Sequence, residues 1–211
     1  MKIQILVDNK NSWILPYARK LLSKLRNDKH EVSFLFNHND VVKGDILFLL
    51  SCERLFKKLS LNKHNIVVHE SNLPKGKGWS PVTWEILKGK NEIVTTLFEA
   101  EDELDSGVIY VQKKIKFLGD ELVNEIRSKQ GKSTIDLCYY FVKNYKNVSG
   151  KKQLGKSSFY RKRNSVDSEL NINQTILEQF NLLRVCDNKR YPAHFYHMGQ
   201  KYLIKIYKDE K

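Results

Sequence analysis

The sequence predicts an α/β protein in which helices cover both faces of a parallel or mixed β-sheet. Short apolar segments alternate with stretches of helical spacing through the first 150 residues, and this order places helices over a sheet. Residues 45–50 form a nearly continuous apolar run, the pattern of a strand buried on both faces. A chain of 211 residues with 41% apolar and 29% charged residues suits one ample core.

The elements of the first 150 residues follow from apolar spacing and turn signals. Ser12 is expected to cap a first helix, which carries Trp13, Tyr17, Leu21 and Leu25 at helical spacing. Strands are predicted at residues 3–7, 31–36, 45–50, 66–68, 92–98 and 108–117. Further helices are predicted at residues 53–59, 81–87 and 120–145, the last one disturbed at Gly131.

A change of composition to glycine, lysine and serine at residues 147–158 predicts a connector. We therefore expect a core domain at residues 1–150 and an extension at residues 151–211, packed on or near the core. The extension is predicted to hold a short helix at residues 174–185 and a terminal β-hairpin of strands 191–197 and 201–207.

The formal net charge of +13 comes from 37 Lys and Arg residues against 24 Asp and Glu residues. Such an excess permits binding to nucleic acid, acidic lipid or a phosphorylated small molecule. Most of the excess is scattered lysine, and the sequence carries no helix-turn-helix, zinc-finger or ribonucleoprotein signature. We therefore expect no nucleic-acid partner.

Several further features bound the setting of the protein. The apolar runs are too short to span a bilayer, and the first residues lack a secretory signal. No metal-ligand spacing links the cysteines or the remaining histidines, which are Cys52, Cys138, Cys186, His30, His38, His64, His194 and His197. We expect a cytoplasmic protein that binds neither membrane nor metal.

Two short segments, far apart in the sequence, each place a proton-handling side chain in irregular backbone. Residues 69–74 read His-Glu-Ser-Asn-Leu-Pro, and residues 104–107 read Leu-Asp-Ser-Gly. Parallel strands present their carboxyl ends at one edge of a sheet, where ligands bind. That rule brings His69 to the same rim as the turns at residues 8–12 and 51–53.

The two segments resemble the active-site signature of the N10-formyltetrahydrofolate-dependent formyltransferases. The order of elements from residue 69 to residue 112 is similar to the core of that family, and residues 158–163 and 187–193 resemble its sugar-nucleotide branch. The wording of residues 69–81 resembles the branch that formylates a UDP-linked amino sugar for pseudaminic acid. The similarity covers about two thirds of the chain and implies a Rossmann-like sheet.

The resemblance implies that His69 stabilises the oxyanion formed when an amine attacks the formyl carbon, and that Asp105 holds the imidazole charged and accepts the amine's proton. Family members usually carry asparagine two positions before this histidine, where this chain has Val67. Either His69 acts with help from the backbone, or Asn72 takes the asparagine's place; Asn65 is the other nearby amide. The implied acceptor is UDP-4-amino-4,6-dideoxy-N-acetyl-altrosamine.

The resemblance also implies two sets of binding residues, with N10-formyltetrahydrofolate as co-substrate. The reduced folate is expected along two turns, at Leu50, Ser51, Cys52, Glu53, Glu99, Glu101 and Leu104. The nucleotide-linked sugar is expected at Asn9, Ser12, Trp13, Lys75, Lys77, Trp79 and Tyr191, with phosphate near the first helix.

Two other functions stay open. A methionyl-tRNA formyltransferase would use the net charge of +13, but the tRNA enzymes of the family carry an additional C-terminal barrel, whereas about sixty residues follow the connector here. A catalytically silent relative that binds acidic surfaces is the second alternative, supported by Val67. The family analogy also suggests a homodimer through the C-terminal hairpin.

Overall fold

A mixed sheet of six strands forms the centre of the protein, whose computed structural model describes residues 1–209. Its strands are β1 (Lys2–Leu6), β2 (Glu31–Leu35), β3 (Gly44–Leu49), β4 (Asn62–His69), β6 (Glu92–Glu99) and β7 (Ile109–Lys116), with a short β5 (Lys77–Gly78) outside the sheet. The strand order is β2-β1-β3-β4-β6-β7, in which the first four strands are parallel and β6 runs antiparallel to both of its neighbours, β4 and β7. The predicted α/β class with a mixed sheet is confirmed.

Two long helices, α1 (Leu15–Asn27) and α3 (Val123–Lys143), cover one face of the sheet and bury its largest apolar cluster. A short helix, α2 (Pro81–Leu87), lies between them in the chain at the predicted position. A side chain at Gly131 would place its Cβ 2.3 Å from the ring of Tyr17, so glycine lets the two helices approach closely. α3 runs unbroken through Gly131, and the predicted disturbance there is wrong because this glycine serves packing. Within residues 1–209, no helix combines the length and apolar character needed to cross a bilayer.

The opposite face of the sheet packs against short 3-10 helices, His38–Asp40 and Leu59–Leu61, and the loops around them. The apolar side chains buried there are Leu6, Val41, Leu47, Leu49 and Phe56. The helix predicted at residues 53–59 is absent, and a 3-10 helix forms only at Leu59–Leu61. The carboxylate of Asp8 accepts hydrogen bonds from the amides of Glu53 and Arg54. Those two bonds hold the segment against the end of β1, and Phe56 anchors it in the cluster.

The first helix begins later than predicted. Its N-terminal boundary is Ile14, Pro16 lies in the first turn, and no side chain caps it. Ser12 instead closes the preceding loop, since its amide donates to the carbonyl of Asn9 at 3.0 Å. The predicted capping role of Ser12 is therefore wrong, because the loop competes for its backbone.

The extension carries β8 (Phe159–Tyr160), α4 (Phe180–Val185) and a hairpin of β9 (Ala193–His197) and β10 (Gln200–Ile204). The hairpin is confirmed, but the predicted helix starts only at residue 180. The side-chain amide of Gln179 donates to the carbonyls of Asn171, Gln174 and Thr175. These bonds hold the backbone before α4 in a loop.

A buried ionic network joins the extension to the core. Arg184 in α4 is fully buried, and its guanidinium donates to Asn181 and to Asn91, each at 2.8 Å. Its Nη1 lies 3.6 Å from Glu121, which is also buried. Burial opposes ionisation of Glu121, but hydrogen bonds from Lys129 and nearby backbone amides outweigh it and lower its pKa to about 2. The network is therefore charged at neutral pH and fastens α4 to the loop before β6.

Replacing Arg184 by alanine is expected to lower the free energy of unfolding by about 3–5 kcal/mol, because Glu121 would keep its charge without the buried partner. Urea unfolding at neutral pH measures this change as a lower midpoint. Lys189→Ala, at an exposed position near α4, is the control and should stay within about 0.5 kcal/mol. A midpoint for Arg184→Ala equal to that of this control would contradict the assigned role.

Candidate active site

The site is built at the carboxyl edge of the parallel strands, around the last residue of β4. His69 ends that strand and pairs with Thr96 of β6 across the antiparallel step of the sheet. Strand alternation puts His69, Val67 and Asn65 on the same face. The side chain of His69 is almost buried, with 7% of its surface exposed. The fold therefore presents this imidazole from rigid backbone rather than from a free loop.

The loop after β4 turns back on His69 and sets the orientation of its ring. Gly76 has φ of +75°, a left-handed conformation that favours glycine. Its carbonyl lies 2.8 Å from Nε2 of His69. Because a carbonyl only accepts, Nε2 carries the proton of this bond. Nδ1 has no hydrogen-bond partner within residues 1–209 and is not among the side-chain atoms sealed from solvent.

Asp105 reaches the same place from the loop between β6 and β7. Its backbone is left-handed, with φ of +50°, and its side chain is nearly buried. Oδ2 accepts a hydrogen bond from the amide of Gly78 at 2.8 Å and lies 3.9 Å from Nε2 of His69. The fold thus brings together the two groups that the sequence singled out. A positively charged imidazole in this position would lie beside a carboxylate, with Nδ1 left free for a ligand.

Neither asparagine near Val67 is placed as a donor beside His69. The side-chain amide of Asn65 donates to the carbonyl of Leu59 at 2.8 Å, and its backbone amide donates to the carboxylate of Glu99. Asn72 is exposed, and its side-chain oxygen accepts from Gln112 on β7. Val67 packs partly buried against the apolar cluster under the sheet. The described contact of Asn72 therefore joins it to β7, the last strand of the sheet, and its catalytic role stays a prediction.

The amino-acid sequence identifies the family to which this site belongs. A sequence model of the family described as Formyl transferase matches residues 16–135, more than half of the chain, including both His69 and Asp105. This chain belongs to the formyl transferase family.

Curated relatives of this formyl transferase family member have different printed functions. A methionyl-tRNA formyltransferase of Mycoplasma mycoides subsp. mycoides SC is 26% identical over 157 residues, covering 70% of this chain and 49% of the relative. The bifunctional polymyxin resistance protein ArnA of Wigglesworthia glossinidia brevipalpis is 27% identical over 193 residues, covering 87% of this chain and 26% of that protein. The chain thus spans about half the length of the methionyl-tRNA enzyme and less of ArnA.

Solved structures share the fold over the whole chain. A methionyl-tRNA formyltransferase from Clostridium thermocellum has a TM-score of 0.83 at 18% identity, covering 100% of this chain and 94% of that one. A 4-N formyltransferase from Francisella tularensis has a TM-score of 0.74 at 18% identity, covering 100% and 98%. A sugar N-formyltransferase from Shewanella sp FDAARGOS_354 has 0.74 at 16%, covering 100% and 99%. The predicted formyltransferase fold is confirmed.

The turn predicted to hold folate, residues 50–53, follows β3 at the same sheet edge as His69. Leu50 is buried, and its amide donates to the carbonyl of Leu6 at 3.0 Å. Ser51 is exposed and left-handed, with φ of +52°. Glu53 accepts a hydrogen bond from the side chain of Asn9 at 2.7 Å. The turn therefore lies at the predicted rim, and its contact with folate stays a prediction.

Cys52, in that turn, belongs to a cluster that the sequence did not predict. Potential ligand atoms of Asp8, His38 and Cys52 lie within 4.8 Å of one another. They come from three separate loops, so no sequence spacing indicates them. Burial and the negative charge of Asp8 raise the pKa of the Cys52 thiol to about 12. Asp8 already accepts hydrogen bonds from His38 and from two backbone amides. The cluster therefore joins the segments that follow β1, β2 and β3.

Of the three residues predicted to hold folate on the acidic loop, Glu99 has its side chain on the α3 face of the sheet. The carboxylate of Glu99 binds His64 at 3.0 Å and Tyr110 at 2.9 Å, beneath α3. Its side chain therefore points away from His69. Glu101 and Leu104 are exposed on the loop that leads to Asp105. Any contact of Glu99 with folate would involve its main chain, and those of Glu101 and Leu104 stay predictions.

The residues predicted for the sugar nucleotide lie in two groups, and only the first belongs to the loop of His69. Lys75 is exposed, whereas Lys77 is 5% exposed and its Nζ lies 3.7 Å from Glu103. Lys162 from the extension lies over the ring of Trp79, with 4.6 Å from Nζ to the ring centroid. This group contains both cationic and aromatic surface beside the catalytic loop.

The second group lies at the start of the chain and at the C-terminal hairpin. Ser12 is 9% exposed, and Trp13 packs edge-on against Tyr17 at 6.2 Å between centroids, partly within the core. Tyr191 is 44% exposed. The neighbouring Arg190 donates to the carbonyl of Asn11. This bond brings the loop that carries Asn9 next to the extension, which the sequence did not indicate.

Sequence reasoning missed the residues that hold the loops of His69 and Asp105 in place. Gly78 binds Asp105 through its amide, and Gly76 binds His69 through its carbonyl. Gln153 donates to the carbonyls of Asp105 and Gly107, each at 2.9 Å. The Gly-Lys-Gly sequence at residues 76–78 was the available signal for the two glycines, but nothing in the sequence indicates the role of Gln153.

Proposed function

We propose that this protein transfers a formyl group from N10-formyltetrahydrofolate to the amine of a nucleotide-linked amino sugar. One observation carries the proposal: Nε2 of His69 and Oδ2 of Asp105 lie 3.9 Å apart at the carboxyl edge of the sheet. The family assignment supports the donor, since the match spans both residues. The acceptor is the more specific part of the proposal.

In the proposed reaction, the amine nitrogen attacks the formyl carbon and a new C–N bond forms. The carbonyl oxygen takes up the electron pair and becomes an oxyanion, which a protonated His69 stabilises through Nδ1–H. Asp105 accepts the proton that the amine loses, directly or through one water. The bond from the formyl carbon to N10 then breaks, N10 takes the proton that Asp105 received, directly or through one water, and tetrahydrofolate leaves with the carbonyl restored. No covalent enzyme intermediate is involved.

The surroundings of the site support these roles. The bond from Nε2 to Gly76 keeps the proton on that nitrogen and turns Nδ1 toward the open side. The bond from Gly78 holds one oxygen of Asp105, so the other remains available as an acceptor. Both side chains are nearly buried, which strengthens their electrostatic interaction with a reacting group.

An amino sugar as the acceptor is supported by the sequence of residues 69–81 and by the sugar N-formyltransferase from Shewanella, which shares the fold over the full chain. The specific proposal is UDP-4-amino-4,6-dideoxy-N-acetyl-altrosamine. Lys75 and the aromatic ring of Trp79 lie beside the catalytic loop and suit a diphosphate and a sugar or base. The proposed product is the N-formyl sugar nucleotide.

The test is turnover with N10-formyltetrahydrofolate and the amino-sugar nucleotide. The expected result is a sugar product heavier by one carbonyl group, formed together with tetrahydrofolate. The N-acetylated form of the same sugar, which lacks the free amine, is the matched control. Equal product with and without the enzyme would overturn the proposed activity and leave a binding role, which the absence of asparagine at Val67 favours.

A second candidate acceptor is methionyl-tRNA. Curated relatives are methionyl-tRNA formyltransferases, and the net charge of +13 suits a polyanion. Filter binding with initiator tRNA distinguishes the two, because the sugar proposal expects weak association that falls steeply with salt. Salt-resistant binding together with formylation of the bound methionine would favour the tRNA function.

The predicted homodimer stays a prediction. It is supported by the C-terminal hairpin, in which all five residues of β10 are exposed, including Tyr202, Leu203 and Ile204. Exposed apolar side chains concentrated on one element are typical of an interaction surface.

A further inference from the structure

The segment of residues 151–160, here called the connecting strap, crosses both catalytic loops. It begins with two backbone hydrogen bonds between Lys151 and Ile109, each at 2.8 Å. It ends where β8 pairs with β5, immediately before α2. The strap lies outside the matched residues 16–135. Its course therefore makes contacts that the family match does not describe.

At the loop of Asp105, the strap contributes one side chain. The amide nitrogen of Gln153 donates to the carbonyls of Asp105 and Gly107, each at 2.9 Å. Both partners only accept, so this end of the amide must be the NH2 group. The other end, Oε1, is sealed from solvent and has no hydrogen-bond partner within residues 1–209. The two bonds donated by the NH2 group offset the cost of that unpaired oxygen.

The backbone held by Gln153 is one that would not keep its shape unaided. Asp105 has φ of +50°, an uncommon conformation for a residue with a side chain. Gly107 passes so close to β6 that a Cβ there would lie 1.8 Å from the carbonyl oxygen of Glu99. Two hydrogen bonds from a single amide fix the carbonyls on both sides of this turn.

At the loop of His69, the strap contributes a hydroxyl and three backbone bonds. Oγ of Ser158 accepts from the amide of Gly76 at 2.9 Å, and the carbonyl of the same Gly76 binds His69. The backbone of Ser158 also bonds Pro74 and Lys77, and Tyr160 accepts from Trp79. Gly76 is thus held at its amide by the strap and at its carbonyl by the imidazole of His69.

We propose that Gln153 and Ser158 are positioning residues, which hold Asp105 and His69 at their mutual distance from one continuous strap. Neither touches the reacting groups, and each acts through the loop that it binds. The catalytic part of this inference rests on the proposed formyl transfer, whereas the structural part stands on the contacts alone. A displacement of about 1 Å at a catalytic group reduces turnover by up to about a hundredfold.

The test uses Gln153→Met, which keeps the length of the side chain and removes its donors, and Ser158→Ala. The matched controls are Lys152→Met and Ser157→Ala, both at exposed neighbouring positions. Hydrogen exchange should accelerate at residues 103–108 in Gln153→Met and at Gly76 in Ser158→Ala, and should be unchanged in the controls. This readout needs no substrate.

Turnover gives the second readout. Gln153→Met should lower kcat about tenfold or more with little change in KM for the amine. In an Asp105→Asn background the same change should cost less than about twofold, because a residue that acts through Asp105 has nothing left to position. A purely structural effect would cost the same in both backgrounds.

The outcomes separate the two proposals. The positioning role is overturned if hydrogen exchange in the variants equals that of the controls, or if the loss of kcat is equal in the wild-type and Asp105→Asn backgrounds. In either case, formyl transfer by the wild-type protein would leave the proposed function standing. Accelerated exchange in a wild-type protein without formyl transfer overturns the proposed function and leaves the hold of the strap on the two loops intact.

Discussion

Replacing His69 by alanine, or Asp105 by alanine, is expected to lower turnover at least about a hundredfold each, in line with removal of an oxyanion donor or a general base. His69 presents a free Nδ1, and its Nε2 lies 3.9 Å from the carboxylate of Asp105. Single-turnover rates with saturating N10-formyltetrahydrofolate measure the effect on the chemical step.

The controls for this prediction come from the same chemistry at exposed positions. His197→Ala, on the C-terminal hairpin, and Asp120→Ala, in the loop before α3, remove the same side chains away from the site. Both should keep turnover within about twofold of wild type, as surface substitutions usually do. If His69→Ala matched wild type in turnover, another group would have to stabilise the oxyanion and the proposed mechanism would be wrong.

Replacing Gly107 by alanine is expected to have the second large effect. The new Cβ would lie 1.8 Å from the carbonyl oxygen of Glu99 and 2.8 Å from its carbon, and both atoms belong to the backbone of β6. The sheet cannot yield there, so the turn must move. Asp105 lies two residues away in the same turn and would be displaced. We expect turnover to fall by about a hundredfold and stability by about 1–3 kcal/mol.

Gly89→Ala serves as the comparison, because its Cβ meets nothing within 4 Å and its φ of +81° adds only backbone strain. Turnover and urea unfolding of the two variants separate steric displacement from general strain. Wild-type turnover in Gly107→Ala would mean that the turn accommodates a methyl group, and that the position of Asp105 does not depend on this close approach.

Short-range patterns predicted much of the fold because the deciding forces were local. The apolar run at residues 45–50 became a buried central strand, and the proline at position 81 begins α2 as predicted. Predictions failed where a distant group captured the backbone. At residues 53–59 the chain follows its contacts with Asp8 and with the apolar cluster around Phe56 instead of forming the expected helix.

The candidate site shows the same division. Both catalytic segments could be found in the sequence, because each needs residue types that are readable one at a time: a histidine before a proline turn and an aspartate before a glycine. The direction of Glu99 could not be found, since it depends on which face of β6 meets α3. The roles of Gln153 and Ser158 could not be found either, because hydrogen bonds to backbone carbonyls and amides leave no spacing in the sequence.

By itself, the sequence determined the α/β class, the family and the two side chains that carry the proposed chemistry, because apolar periodicity and short motifs depend on residues close together in the chain. Only the tertiary structure decided that His69 and Asp105 meet at 3.9 Å. It also decided that Asn72 contacts β7, the last strand of the sheet, and that the connecting strap binds the loops of both His69 and Asp105. Those contacts join residues separated by tens of positions, and only the packing of strands and loops brings them within hydrogen-bonding range.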